Sequence, residues 1–231
     1  MTIARQFNGP PASGNGGYAS GVIAAGLEHE GPAEVRLTTP PPLDTPLTYE
    51  RDHDEVRLVT HGGALVGQAK PGRFLRDAPR FVEAAEIEAG VANYPGFEHH
   101  PFDGCFTCGT QRGEGDGLRI FSGPIGDGLT AAPWDAHESF AGENGAIAAP
   151  VTWAALDCPG GWAADFSEQP MLLGTMTAEI YATPAADRRY HSVGQLDRRE
   201  GRKFFTSTAL YTPEAQLVGR AEQVWIEIDL G

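Results

Sequence analysis

Asp157 closes a run of small and apolar residues, Val151-Thr152-Trp153-Ala154-Ala155-Leu156, and is followed at once by Cys158-Pro159-Gly160-Gly161. A carboxylate in that place can take a proton from water as a general base, or attack a carbonyl carbon itself. At the C-terminal end of a helix the macrodipole disfavours the ionised form and raises its basicity modestly. The alternative is an acid that caps the Pro159-Gly160 turn or pairs with an arginine. Cys105-Phe106-Thr107-Cys108-Gly109, with His99 and His100 upstream, is half of a zinc-site pattern, although its histidines are adjacent rather than spaced. A structural turn closed by Gly109 accounts for the same residues, and no metal is assigned. Cys158 beside Asp157 is either a thiol nucleophile or a small buried apolar side chain. Arg188, Arg189, Arg198, Arg199, Arg202 and Lys203 place six of the seventeen basic residues within sixteen positions. Arginine forks suit clustered phosphates, whereas Asp187, Asp197 and Glu200 among them fit a solvated, self-paired hairpin.

The elements that position these residues come twice. Asn15-Gly16-Gly17-Tyr18-Ala19-Ser20-Gly21-Val22-Ile23-Ala24-Ala25-Gly26-Leu27 matches Asn144 to Leu156 without a gap. Ala33-Glu34-Val35 is echoed by Ala178-Glu179-Ile180, and Leu65-Val66-Gly67-Gln68-Ala69 by Leu217-Val218-Gly219-Arg220-Ala221. The blocks keep their order, so the chain reads as a duplicated unit of one small-residue helix followed by strands. The second copy runs on past its helix leucine into Asp157; in the first, Ala24 is read as standing where that acid would be, and Glu28 follows Leu27.

In the first half, residues 1–70, a helix is expected over Gly14 to His29. Strands follow at Ala33 to Thr38, where apolar and polar residues alternate, and at Leu47–Arg51, Glu55–Thr60 and Ala64–Lys70. His61-Gly62-Gly63 makes the last two a hairpin. Residues 71–116 form a connection with helical composition from Phe81 to Ala92 and turns from Tyr94 onward; it either wraps the surface or covers a cleft. The second half, 117–231, starts with strands at Leu118–Ser122 and Leu129–Trp134. Pro150 suits a first helical turn, and Pro159 should end or kink the helix after Asp157. Strands at Met176–Thr183, Tyr190–Leu196, Arg202–Tyr211 and Leu217–Ile228 complete it.

Net charge is −14 with a pI near 4.8, which argues against nucleic acid and anionic membrane surfaces as partners. Three cysteines are an odd set and fit a reducing compartment better than a disulfide framework. No run reaches the length of a membrane span or a signal-peptide core. The expectation is a cytoplasmic α+β protein.

A helix followed by antiparallel strands, twice, describes a sheet wrapped around a helix and duplicated. On these residues the C-terminal half resembles the hotdog-fold thioesterases, and the whole chain a shortened double-hotdog acyl-CoA thioesterase. Three motifs carry the resemblance. Cys105-Phe106-Thr107-Cys108-Gly109 with Gly117-Leu118-Arg119-Ile120 is similar to an opening of small bacterial hotdog proteins. Ala154-Ala155-Leu156-Asp157 resembles the end of their central-helix motif, and Leu217 to Gln223 the final strand of the double-hotdog enzymes. The resemblance implies that Asp157 and Gln223 are catalytic, holding an attacking water, with Gln223 accepting from it and donating to it. A polar residue on a strand face is the other reading of Gln223. The family's third group, a hydroxyl, falls near Leu196 and Asp197, neither of which supplies one. The family's His-Gly-Gly turn is Ala148-Ala149-Pro150 in the second half and Asn15-Gly16-Gly17 in the first.

The implied activity is acyl-CoA hydrolysis, with coenzyme A as part of the substrate and no separate cofactor. Arg199, Arg202 and Lys203 would take its phosphates. The acyl chain would lie between the two helices near Trp153, Trp162 and Phe166, which are otherwise ordinary core residues. Helix N-terminal amides around Ala149 to Thr152 would form the oxyanion hole. Two rivals stand beside this: a non-catalytic acyl-thioester or lipid-binding hotdog protein, and a hotdog dehydratase. Self-association through sheet edges or faces stays open.

Overall fold

The computed structural model describes residues 1–229. Two hairpins form where sequence alternation and glycine turns demand them. β3 (Glu55–Thr60) turns at Gly62 and Gly63 into β4 (Leu65–Pro71), and β8 (Arg188–Glu200) turns at Gly201 into β9 (Lys203–Tyr211). With β1 (Ala33–Leu37), β2 (Leu47–Asp52), β5 (Gly123–Gly126), β6 (Leu129–Ala136), β7 (Met171–Ile180) and β10 (Leu217–Glu227), they make one ten-stranded sheet of order β2-β3-β4-β1-β7-β10-β9-β8-β6-β5. Every pairing is antiparallel. Antiparallel pairs need only short turns, which suits the glycine-rich connections.

The two halves of the sheet meet at the β1–β7 pair, in which Val35 faces Met176. Outward from it the strands run β1-β4-β3-β2 on one side and β7-β10-β9-β8 on the other, the same relative chain order, and β6 and β5 extend the second side. Gly67 and Gly219 mark the correspondence. A Cβ at Gly67 would meet the Arg36 carbonyl and Ile23, and one at Gly219 the Glu179 carbonyl and Leu156. Each glycine lets its strand approach the neighbouring one beneath the last apolar residue of a helix.

The helices α1 (Gly16–Ala24) and α3 (Ala149–Ala155) pack on each other above one face of the sheet. They touch through glycines: a Cβ on Gly21 would lie 2.7 Å from Pro150 Cα and 2.8 Å from Trp153 Cβ. α1 is shorter than its sequence promised, because the chain turns at Gly26, which sits flat against the Tyr49 ring. The helix bearing Asp157 breaks where Pro159 predicts. α3 ends, and α4 (Cys158–Ala163) restarts with Asp157 at its N-cap and Pro159 in its first turn. Leu156, fully buried at the break, contributes about 1.5–3 kcal/mol by leaving water.

The ungapped match of 15–27 to 144–156 does not survive in three dimensions. Asn15 is the N-cap of α1, whereas Asn144 lies in a turn ahead of α3, whose N-cap is Ala148. Aligning the caps pairs Gly17 with Pro150 and Ala24 with Asp157. The expected strand at Leu118–Ser122 is also absent. Its amides bond to the cysteine turn instead, Leu118 N–H to Phe106 O and Ile120 N–H to Thr107 O.

The connection both wraps and covers. Residues 74–82 lie on the sheet face away from α3, where Arg76 reaches Asp197 at 2.9 Å and Glu222 at 3.4 Å. α2 (Ala84–Ala92) then packs on β5 and β6 through Ile87, beside a small core with Val193, Ala209 and Tyr211. Beyond it, Phe102, Cys105, Phe106 and Cys108 enter the main core on the helix side. Among the described residues no helix is long and apolar enough to cross a membrane.

Candidate active site

Asp157 is 2% exposed, and the break between α3 and α4 turns it toward the start of α1. There Asn15 does two things. Its Oδ1 caps the helix by accepting from Tyr18 N–H at 2.8 Å, and its Nδ2 donates to Asp157 Oδ2 at 2.9 Å. The Gly17 N–H also faces the carboxylate. Gly17 has to be glycine, because a Cβ would come within 2.5 Å of Asp157 Cβ and 2.7 Å of the Trp153 carbonyl. Asp157 Oδ1 is buried without a hydrogen-bond partner.

Burial pushes the Asp157 carboxyl up to about 7, opposed by the Gly17 N–H and the Asn15 amide. The shift has the direction expected from the sequence, with desolvation rather than the helix dipole as its main cause. The α1 N-terminus acts the other way, since its unpaired amides favour the anion.

Asp157 lines a cavity of about 220 Å³. Its walls are mostly apolar: Leu37, Pro41, Phe102, Phe166, Leu173 and Ile228, drawn from both halves and the connection. Ser13, Asn15, Gly16, Cys105 and Cys158 border it near the acid. The expected slot between the helices does not exist, because Gly17 and Gly21 close it. Trp153 is buried in the α1–α3 contact and does not line the cavity. Trp162 packs among Tyr94, His100 and Phe166, and only Phe166 of the three aromatics reaches the cavity wall. The expected oxyanion donors at Ala149 to Thr152 are misplaced as well. Val151 and Thr152 N–H bond to Ala148 O, Pro150 has none, and the helix start facing Asp157 is that of α1.

Gln223 is 1% exposed and joins Asp157 through the main chain. Its Nε2 donates to the Leu156 carbonyl at 2.7 Å and the Asp157 carbonyl at 2.9 Å, and its Oε1 accepts from Thr206 at 2.8 Å. The Leu156 carbonyl lies where α3 ends, and the Asp157 carbonyl also accepts from the Gly160 N–H at 3.2 Å. Thr208 donates to the same Leu156 carbonyl at 2.7 Å. The amide fixes the turn that aims Asp157, and its hydrogen-bonding capacity is taken up in doing so.

Arg199, Arg202 and Lys203 sit at the β8–β9 turn, outside the cavity wall. Arg199 pairs with Glu227 at 3.0 Å and lies over Phe204, and Arg202 donates to the Glu227 carbonyl. Lys203 is exposed and opposite Ile226, which lines the cavity on the neighbouring strand.

Cys105, Cys108 and Cys158 are free thiols, and their Sγ atoms lie within 4.8 Å of one another. Hydrogen bonds from the Cys108 and Cys158 thiols hold Cys105 well below the usual thiol range, and burial holds Cys108 and Cys158 above it. The upstream histidines do not join them. His99 is exposed, while His100 accepts from Phe102 N–H and contacts Cys108 O.

Sequence reasoning found Asp157 but not its surroundings. Asn15 and Gly17 are 142 and 140 positions away, and the clue to them was the retained Asn-Gly-Gly on the half that lacks the acid.

No protein-family model and no curated protein matches this chain. Among the solved structures it is similar to are several described as thioesterases or thioesterase superfamily proteins. A thioesterase superfamily protein is 16% identical at a TM-score of 0.44, covering 48% of this chain, which spans 54% of that one. The Escherichia coli PaaI protein of a phenylacetic acid degradation operon is 9% identical at 0.45, over 48% and 81%. A hypothetical thioesterase of Streptococcus pneumoniae, solved with coenzyme A, is 11% identical at 0.42, over 44% and 80%.

Proposed function

We propose that the chain is a double-hotdog acyl-thioester hydrolase with one active site, built by Asp157 of the second half against the α1 start of the first. The observation that carries this is the Asp157 carboxylate: buried at an apolar cavity, one oxygen held by Asn15, the other unpartnered. The repeated strand order supports the duplication. In the proposed step a water attacks the thioester carbon while Asp157 Oδ1 takes its proton. The Gly16 N–H, first in α1 and without an acceptor in the helix, receives the developing oxyanion. The C–S bond then breaks, and the thiolate leaves with the proton.

Gln223 is a positioning residue that holds the Leu156-Asp157 turn. The acyl group occupies the cavity, and Lys203 with Arg199 and Arg202 flank the route for the phosphates of coenzyme A. A panel of acyl-CoA esters assayed for free-thiol release tests the reading. Wild-type turnover should fall by about 10²–10⁴-fold in Asp157→Asn, the usual worth of a general base. Turnover unchanged in that variant removes Asp157 from the chemistry. The saturated Gln223 amide favours the second reading, an acyl-thioester binder without catalysis; tight binding of a nonhydrolysable acyl-CoA with no thiol release from any ester would establish it.

A further inference from the structure

We propose that Cys105, Cys108 and Cys158 form a three-thiolate site for a soft metal ion of the zinc class, with its fourth position opening on the cavity. A tetrahedral zinc ion with bonds of about 2.3 Å holds its sulfurs about 3.8 Å apart. The Cys105 and Cys158 sulfurs are 3.7 Å apart, and all three fall within 4.8 Å of one another. The three cysteines are at most 4% exposed.

The turn is built to present two of them together. In Cys105-Phe106-Thr107-Cys108-Gly109 the Gly109 N–H donates to the Cys105 carbonyl at 2.9 Å. A Cβ on Gly109 would lie 2.5 Å from the Asp103 and Cys105 carbonyls, so only glycine closes the turn. The N–H groups of Thr107 and Cys108 point at the Cys105 sulfur. Cys158 comes from the first turn of α4, delivered by the same helix break that aims Asp157.

What surrounds the sulfurs separates a metal site from a chance gathering of small core residues. Asn15 Nδ2 lies 3.7 Å from the Cys105 sulfur and 4.0 Å from that of Cys158. The buried indole N–H of Trp162 has no hydrogen-bond partner and lies beside Cys108. With the two backbone amides, four N–H donors face three sulfurs. Neutral thiols are weak acceptors, whereas metal-bound thiolates call for such an outer ring of donors. No further His, Cys, Asp or Glu joins the cluster among the described residues. Cys105 and Cys158 line the cavity, so the fourth ligand is a water or an incoming group, the arrangement of three protein ligands and an open position.

The test uses the full chain, purified reduced, with zinc and cobalt(II) salts as probes. Zinc should co-purify or bind at one ion per chain. Cobalt(II) should give thiolate-to-metal charge-transfer bands of an intensity set by three sulfurs, together with tetrahedral d–d bands that zinc abolishes. Cys108→Ser and Cys158→Ser should each weaken binding at least tenfold. Sub-stoichiometric zinc with no charge-transfer band overturns the site, and so does a Cys108→Ser protein that binds as tightly as wild type. If the serine variants fail to fold, the wild-type cobalt spectrum decides, because fewer than three thiolates lower its intensity in proportion. Metal content is read without any thioester, so its failure leaves the Asp157 reading untouched.

Discussion

The two helix starts face the same kind of neighbour and have diverged. α1 begins Asn15-Gly16-Gly17, with a side-chain cap, and meets Asp157. α3 begins Ala148-Ala149-Pro150, with no side-chain cap and one amide removed by proline, and its equivalent of Asp157 is the half-buried Ala24. The acid and the helix start that serves it lie in different halves. On the proposed reading, an acid alone in one half is enough for one site, and the other helix start is released to pack. The duplication we propose would then divide the parts between two copies of the fold.

The largest expected effect is at the equipped start. Asp157→Asn should cut turnover by about 10²–10⁴-fold, and it should also change stability in a pH-dependent way. The folded carboxyl titrates near 7 against an ordinary value of 3.8. Between those values the folded state holds a proton that the unfolded state lacks, so stability falls as pH rises from about 4 to 7, and the penalty is complete above 7. On reduced, chelator-treated protein, Asp157→Asn should be more stable than wild type at pH 8 by on the order of 4 kcal/mol. The gap should close near pH 4, as read by denaturant midpoints. A constant difference across pH would mean that Asp157 is not a buried acid. Catalysis runs the other way: hydrolysis needs the ionised base and should rise with pH to a plateau above 7.

Gly17→Ala comes next. Its Cβ would collide with Asp157 and the Trp153 carbonyl, an overpacking expected to cost about 1–3 kcal/mol. Melting temperature and kcat should fall together. A variant that loses stability while keeping kcat would show that the α1 start does not position the acid.

Asn15→Ala removes a cap worth about 0.5–2 kcal/mol and the hydrogen bond that favours the anion. The midpoint of the pH–rate profile should move above that of wild type, with the plateau rate less affected. A midpoint that stays put or falls would separate Asn15 from the acid's chemistry.

How much of this was legible depends on sequence distance. The β3–β4 and β8–β9 hairpins follow from local alternation and glycine turns, and Pro159 announced its own helix break. Leu118 to Ser122 has a strand's composition, but its amides found acceptors in the cysteine turn, a competition no local pattern records. Asp157 was visible as an acid closing the second half's helix motif. Asn15 was not, because the ungapped repeat tied it to Asn144 and the pairing that matters crosses the β1–β7 junction. Gln223 was found by position, yet its bonds to Leu156 and Asp157 carbonyls show a role that residue type alone leaves open. Cys158 joins Cys105 across 53 positions, which motif spacing cannot express.

The smallest expected effect is at the other helix start, and it tests the comparison most directly. Pro150 is the counterpart of Gly17, so if both starts worked alike, altering either would disturb turnover. Pro150→Ala keeps the backbone that packs on Gly21 and restores one amide that faces no acid. It loses only the rigidity proline gives the unfolded chain, about 0.4–1 kcal/mol. The midpoint of unfolding should therefore shift slightly and kcat for acyl-CoA hydrolysis should hold at the wild-type value. A kcat loss as large as that of Gly17→Ala would place chemistry at α3 as well, and the division of labour between the halves would fail.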